Sequence, residues 1–290
     1  MNKPIVVGFN GSAGSAAALT WALQRASRQK LPVIVIHAVD DRWMSPDFEY
    51  HELIRESGME MVGKAQASAG EQAPDVEVEA RLQHGSAGRA LREASKEASM
   101  VVVGAHDKHW LDGGPLTDRA LQIVTASDCP AAIVPEKQGT SGRGVVVGVD
   151  GSEESLQAVA VAAAEADRGG DELTVVLAFR SPARWVENQL PASGLAETLV
   201  EEDRIVLAES VVGLGDKYPD LVVHQRLETA TEPAKALVET AAGARLLVIG
   251  SRGRGGFSRA VLGSTAHAVL LNVPCPTIVT RVHKVKHSQD

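Results

Sequence analysis

Short aliphatic runs recur along this chain. Each ends at a glycine or a small polar residue, and each is followed by a longer segment with helical spacing. In the second half the pattern predicts strands at 144–149, 173–179, 221–227, 245–250 and 277–280, and helices at 153–167, 194–215, 233–242 and 264–272. Ser152 followed by Glu153 and Glu154 is a favourable helix start, a capping hydroxyl with acids in the first turn. Pro233 suits a first helical position. The strands read as continuous Val, Leu and Ile rather than alternating, which is the pattern of a sheet covered on both faces. Strands separated by helices imply right-handed crossovers and an open parallel sheet. In such sheets ligands bind beyond the carboxyl ends of the strands, where strand order reverses.

The pattern occurs twice. Ile5–Ser12 (IVVGFNGS) returns as Val145–Ser152 (VVVGVDGS), Met100–Ala105 as Leu246–Ser251, and Asp128–Val134 as Pro274–Thr280. The offset grows from 140 to 146 along these blocks. The Gly- and Ser-containing segment Pro135–Arg143 reads as the linker, placing domains at 1–136 and 143–283.

Composition agrees with this layout. At 290 residues, two domains of about 145 are expected. The chain is 44% hydrophobic but only 3% aromatic, so its cores are aliphatic. A formal net charge of −8 argues against general nucleic-acid or anionic-membrane binding, which need a basic surface. No signal pattern opens the sequence and no apolar stretch reaches the roughly 20 residues of a spanning helix, so a cytoplasmic location is expected. Cys129 and Cys275, each before a proline at matching points of the repeat, read as small buried packing residues.

The candidate chemistry lies in one loop. Gly250-Ser251-Arg252-Gly253 is followed after nine residues by Gly263-Ser264-Thr265. This places a glycine-rich turn between a strand and a helix N-terminus, where unsatisfied amides and the helix dipole favour an anion. Glycines allow close backbone approach and positive φ. Arg252, Arg254 and Arg259 give the span from Gly250 to Ser264 a charge of +3, with no acid inside it. Asp150-Gly151-Ser152 also follows a strand end, so both segments are expected to face one crevice.

These residues resemble the universal stress protein family in its tandem two-domain form, over about 1–135 and 143–282. The specific feature is the nucleotide loop G-x2-G-x9-G-[ST], matched in full by Gly250, Gly253, Gly263 and Ser264. The resemblance implies two doubly wound, mostly parallel five-stranded sheets of order 3-2-1-4-5, of the adenine-nucleotide alpha-hydrolase-like type. It implies ATP, with Mg or Mn, on this loop, with Arg252 and Thr265 beside it. It also implies that Asp150 contacts the nucleoside and that backbone near Ala178 recognises adenine. Domains that pair through their last strands, here Ala131–Val134 with Thr277–Thr280, are a further implication, and a homodimer built on that unit stays open.

The first half departs from the pattern. Aligning Gly104 with Gly250 puts Asp107, Thr117 and Asp118 where the second half has Gly253, Gly263 and Ser264, and Asn10 where it has Asp150. With Asp112 and Lys108 the span from Gly104 to Asp118 carries −2. Like charges 4 Å apart repel by about 4 kcal/mol at an effective dielectric near 20. The first half is therefore expected not to bind ATP as the second does.

Other motifs lead elsewhere. Gly58–Ala65 comes close to a P-loop but lacks the hydroxyl for magnesium and sits in a helical pattern, so it reads as chance. His106 and His109 with Asp107, even with His84 as a further ligand, are too sparse to assign a metal site. His37 reads as a hydrogen-bonded structural histidine. No catalytic residue is assigned, because nothing beside the loop is an evident base. The expected function is an ATP-binding, nucleotide-dependent stress-response regulator with an unidentified protein partner. A slow ATPase or phosphotransferase, and an interaction scaffold that uses no nucleotide, stay open beside it.

Overall fold

The computed structural model describes residues 2–40, 48–105, 117–136, 142–179, 195–253 and 262–281. The chain forms two compact units, Met1–Thr140 with Cys275–Ile278, and Ser141–Pro274 with Val279–Asp290. In the first half the elements run β1 (Ile5–Gly8), α1 (Ala13–Gln29), β2 (Val33–Val39), α2 (Phe48–Gln72), β3 (Val78–His84), α3 (Ala87–Ser95), β4 (Met100–Ala105), α4 (Thr117–Ala126) and β5 (Ala131–Pro135). In the second they run β6 (Val145–Val149), α5 (Glu153–Gly169), β7 (Leu173–Ala178), α6 (Leu195–Glu209), α7 (Leu214–Lys217), β8 (Val223–Glu228), α8 (Pro233–Thr240), β9 (Leu246–Gly250), α9 (Ser264–Leu270) and β10 (Thr277–Thr280).

The strand orders are β3-β2-β1-β4-β5 and β8-β7-β6-β9-β10, which is 3-2-1-4-5 in each repeat. The pairs β1–β2, β1–β4, β2–β3 and β4–β5 are parallel, as are β6–β7, β6–β9 and β7–β8. In the first unit α1 packs with α2, and α3 with α4. Aliphatic side chains fill the layers on both sides of the strands. Ile5, Leu19 and Leu23 in the first unit, and Leu173, Leu246 and Leu247 in the second, are almost wholly buried. Cys129 and Cys275 are small buried residues, as expected.

The repeat extends to packing details. A side chain at Gly8 would run into Leu91, and one at Gly148 into Leu237, so helices α3 and α8 lie equally close to their central strands. Helix α1 ends at Lys30 with φ +53 and α5 at Gly170 with φ +63, both left-handed caps. The single helix predicted over 194–215 is instead two: α6 ends at Glu209, and α7 starts after a turn over 210–213 whose last residue, Gly213, has φ +79. Gly58–Ala65 lies inside α2, and no helix among the described residues is long and apolar enough to cross a membrane.

Candidate functional site

In the second unit, β6 is flanked by β7 on one side and β9 on the other, so strand order reverses between β6 and β9. The carboxyl ends of these two strands carry the candidate residues. Asp150 follows β6 directly. Its Oδ1 accepts hydrogen bonds from Ser152 N at 3.0 Å and Ser152 Oγ at 2.6 Å. Ser152 Oγ in turn accepts from Ser155 N at 3.2 Å, capping α5. Gly151, at φ +80, makes this reversal possible. One carboxylate oxygen thus builds the turn. The other, Oδ2, occupies the space a side chain on Gly253 would need. Any residue larger than glycine at 253 would displace it.

The loop closes on itself from the other side. Gly263 N donates to Ser251 O at 2.9 Å, and Ser251 N donates to Thr280 O at 3.1 Å. A Cβ on Gly263 would stand 3.3 Å from Arg252 Cα and 3.7 Å from Gly253 N, so residues 251–253 and 263 form two sides of one small surface. Helix α9 starts there, with Gly263 as N-cap and no side-chain cap. The first-turn amides of Ser264 and Thr265 therefore have no capping side chain as a partner. Ser264 is exposed and Thr265 half-buried. Ala178 ends β7, one step beyond the register pair Val149–Leu177, which sets it at the same end of the sheet as Asp150.

Two expectations change in detail. Gly263 has φ −63, and neither Gly250 nor Gly253 is among the positive-φ glycines of the chain. At 250, 253 and 263 glycine serves close packing rather than left-handed backbone. Gly250 shows the same need, since its Cβ would meet the Glu154 backbone at 3.1 Å and Arg252 O at 3.1 Å. The loop is also less purely cationic in space than in sequence. Arg252 Nη2 pairs with Glu154 at 2.9 Å, both side chains being about one-fifth exposed (21% and 19%). Along the chain Glu154 is only an acid in the first turn of α5; the fold brings it to the loop from about a hundred residues away. Arg254 and Arg259 lie outside the described residues.

The first unit repeats the turn that follows its first strand. Asn10 Oδ1 accepts from Ser12 N at 3.1 Å and Ser12 Oγ at 2.7 Å, and Ser12 Oγ accepts from Ser15 N at 3.2 Å. The turn is the same, built with an amide oxygen. Asn10 itself is exposed, whereas Asp150 is half-buried. Met61 of α2 lies over the turn, its Sδ 2.7 Å from where a Cβ on Gly11 would be. Gly104 packs harder than its counterpart Gly250, because its Cβ would overlap the Gly14 carbonyl group. His106, Asp107, Lys108, His109 and Asp112 lie outside the described residues, as do the side chains of Thr117 and Asp118. His84 ends β3, and His37 Nδ1 lies 2.8 Å from Phe9 O, a structural hydrogen bond of the kind expected.

Fold and site together define a tandem α/β protein of doubly wound units, with a glycine-containing turn at the switch point of the second. The model of the universal stress protein family matches residues 1–135 and again 143–281. A universal stress protein of Mycobacterium tuberculosis H37Rv is 35% identical, the match covering 97% of this chain and 99% of that one. One from Mycolicibacterium smegmatis is 31% identical, with 96% of each chain covered. Among solved structures, a universal stress protein from Archaeoglobus fulgidus shares the fold with a TM-score of 0.71 at 20% identity, over 96% of this chain and 98% of that one. The chain belongs to the universal stress protein family.

Proposed function

We propose that the second unit binds ATP at the β6–β9 switch point, and that the protein acts as a nucleotide-dependent stress-response regulator. The observation that carries this reading is the contact of the Asp150 carboxylate with Gly253. It joins the acid that would hold the nucleoside to the turn that would hold the phosphates. Around it, Gly253 and Gly263 carry no side chain of their own, and no side chain caps the first turn of α9, an arrangement suited to an anion. Ala178 at the end of β7 offers backbone to the base. No cluster of three His, Cys, Asp or Glu that could hold a metal occurs among the described residues. The reading therefore has Mg or Mn arrive on the triphosphate, shielding its charge from Asp150 and Glu154.

Isothermal titration of the full chain with magnesium and ATP tests it. One site per chain is the expected stoichiometry. Two equal sites would refute the reading of the first unit, and no binding would refute the nucleotide reading altogether.

A further inference from the structure

Arg252 stands inside the glycine turn, where a cation invites assignment as a phosphate ligand. Its surroundings suggest another role. The guanidinium is paired with Glu154 at 2.9 Å, and both side chains are largely shielded from solvent. Glu154 is itself seated. Its backbone lies against Gly250, 3.1 Å from where a Cβ would be, and its carbonyl is 3.5 Å from Thr280 Oγ1. The turn is pinned at its other points by Ser251 N to Thr280 O and Gly263 N to Ser251 O. The ion pair closes the remaining side, between the turn and α5.

We infer that Arg252 is a positioning residue whose ion pair with Glu154 clamps the Gly250–Gly253 turn to the first turn of α5 and presets the backbone that faces the phosphates. For Arg252 to reach a phosphate it would have to leave Glu154. A shielded carboxylate would then be uncompensated beside an arriving anion and near Asp150, and breaking such a pair on one side is costly. Holding the turn in place before the ligand arrives lowers the ordering cost of binding instead. The first unit cannot build this clamp, since Gly14 stands at the position of Glu154 and carries no side chain.

The inference rests on the nucleotide reading for its affinity readout but not for its loop-order readout. The full chain would be compared with Glu154→Gln, Arg252→Gln, the double variant, and the exchanged pair Glu154→Arg with Arg252→Glu. Amide hydrogen exchange of Ser251 and Gly263 in ligand-free protein is expected to quicken by about the same factor in each single variant. The double variant should match the singles, as for two members of one interaction. The exchanged pair should recover protection. Affinity for magnesium–ATP should fall about threefold to tenfold in each single variant. The inference is overturned if exchange at Ser251 and Gly263 is unchanged in the single variants. It is also overturned if Arg252→Gln weakens ATP far more than Glu154→Gln, or if Glu154→Gln tightens ATP; either would make Arg252 a phosphate ligand. A wild-type chain that binds no ATP would refute the nucleotide reading, and hydrogen exchange would still decide the clamp.

Discussion

The turns after β1 and β6 are nearly superimposable in their hydrogen bonds yet differ in what they offer a ligand. Asn10 and Asp150 each accept from a serine amide and hydroxyl, and each starts a helix capped by that serine. An amide oxygen suffices for that task. What Asp150 adds is a second oxygen and a charge, and that oxygen meets Gly253. The same turn can therefore be built with or without a carboxylate. The glycines make the same point in reverse. Gly104 and Gly250 stand at matching points, but Gly104 is demanded by packing against Gly14 whatever the first unit binds.

The largest test of this contrast is to put a carboxylate on the second unit's turn. Gly253→Asp, which imports the first unit's Asp107, and Gly263→Asp, which adds an acid beside Ser264, should each weaken ATP by at least a hundredfold, about 3 kcal/mol, as read by titration calorimetry. The methyl of Gly263→Ala would stand 3.3 Å from Arg252 Cα, a tight contact the turn must relieve by a few tenths of an ångström, so that variant should keep far more affinity than Gly263→Asp and separate charge from bulk. Rebuilding the first unit with Asp107→Gly, Thr117→Gly and Asp118→Ser should raise its affinity only in part, because Asn10 remains. If Gly263→Asp left affinity within about twofold, the loop would not be the phosphate site. Loss of ATP binding on Asp107→Gly alone would reverse the electrostatic account of the first unit.

Close behind comes a stability effect confined to one unit. Gly104→Ala forces a Cβ into the Gly14 backbone and should cost about 3 kcal/mol, while Gly250→Ala, with contacts near 3.1 Å, should cost about 1 kcal/mol. Urea unfolding of the two variants measures both. Equal costs would mean that the two repeats pack their first loop glycine alike.

Asp150→Asn tests the turn itself. It turns the second unit's residue into the first unit's, so the melting temperature should scarcely move, while ATP affinity falls about tenfold, or 1.4 kcal/mol. A large loss of stability would show that the carboxylate is needed for the turn, contrary to the example of Asn10.

The smallest expected effect concerns the helix ends. Lys30 holds a left-handed conformation that Gly170 adopts without a Cβ. Lys30→Gly should stabilise the first unit by about 0.5 kcal/mol and Gly170→Lys should destabilise the second by about 1 kcal/mol. Thermal unfolding with both variants in parallel would show whether the two caps are equivalent.

Much of this was legible along the chain. Continuous aliphatic runs, their repetition, and helix starts such as Ser152-Glu153-Glu154 determined the parallel sheets and the order of elements, because these depend on local pattern and on burial of both sheet faces. The spacing of Gly250, Gly253, Gly263 and Ser264 marked the loop. The break of 194–215 over 210–213 was not legible, since a glycine such as Gly213 inside a helical pattern reads equally as a tolerated residue or a stop. Nor could sequence assign the glycines to close packing rather than positive φ, which depends on what lies above each Cα. The pairing of Arg252 with Glu154, and the meeting of Asp150 Oδ2 with Gly253, join residues about a hundred positions apart. Charge counted along the loop treats Arg252 as available for a ligand. Only the tertiary structure, by setting the ends of β6 and β9 side by side, decided which carboxylates share its space.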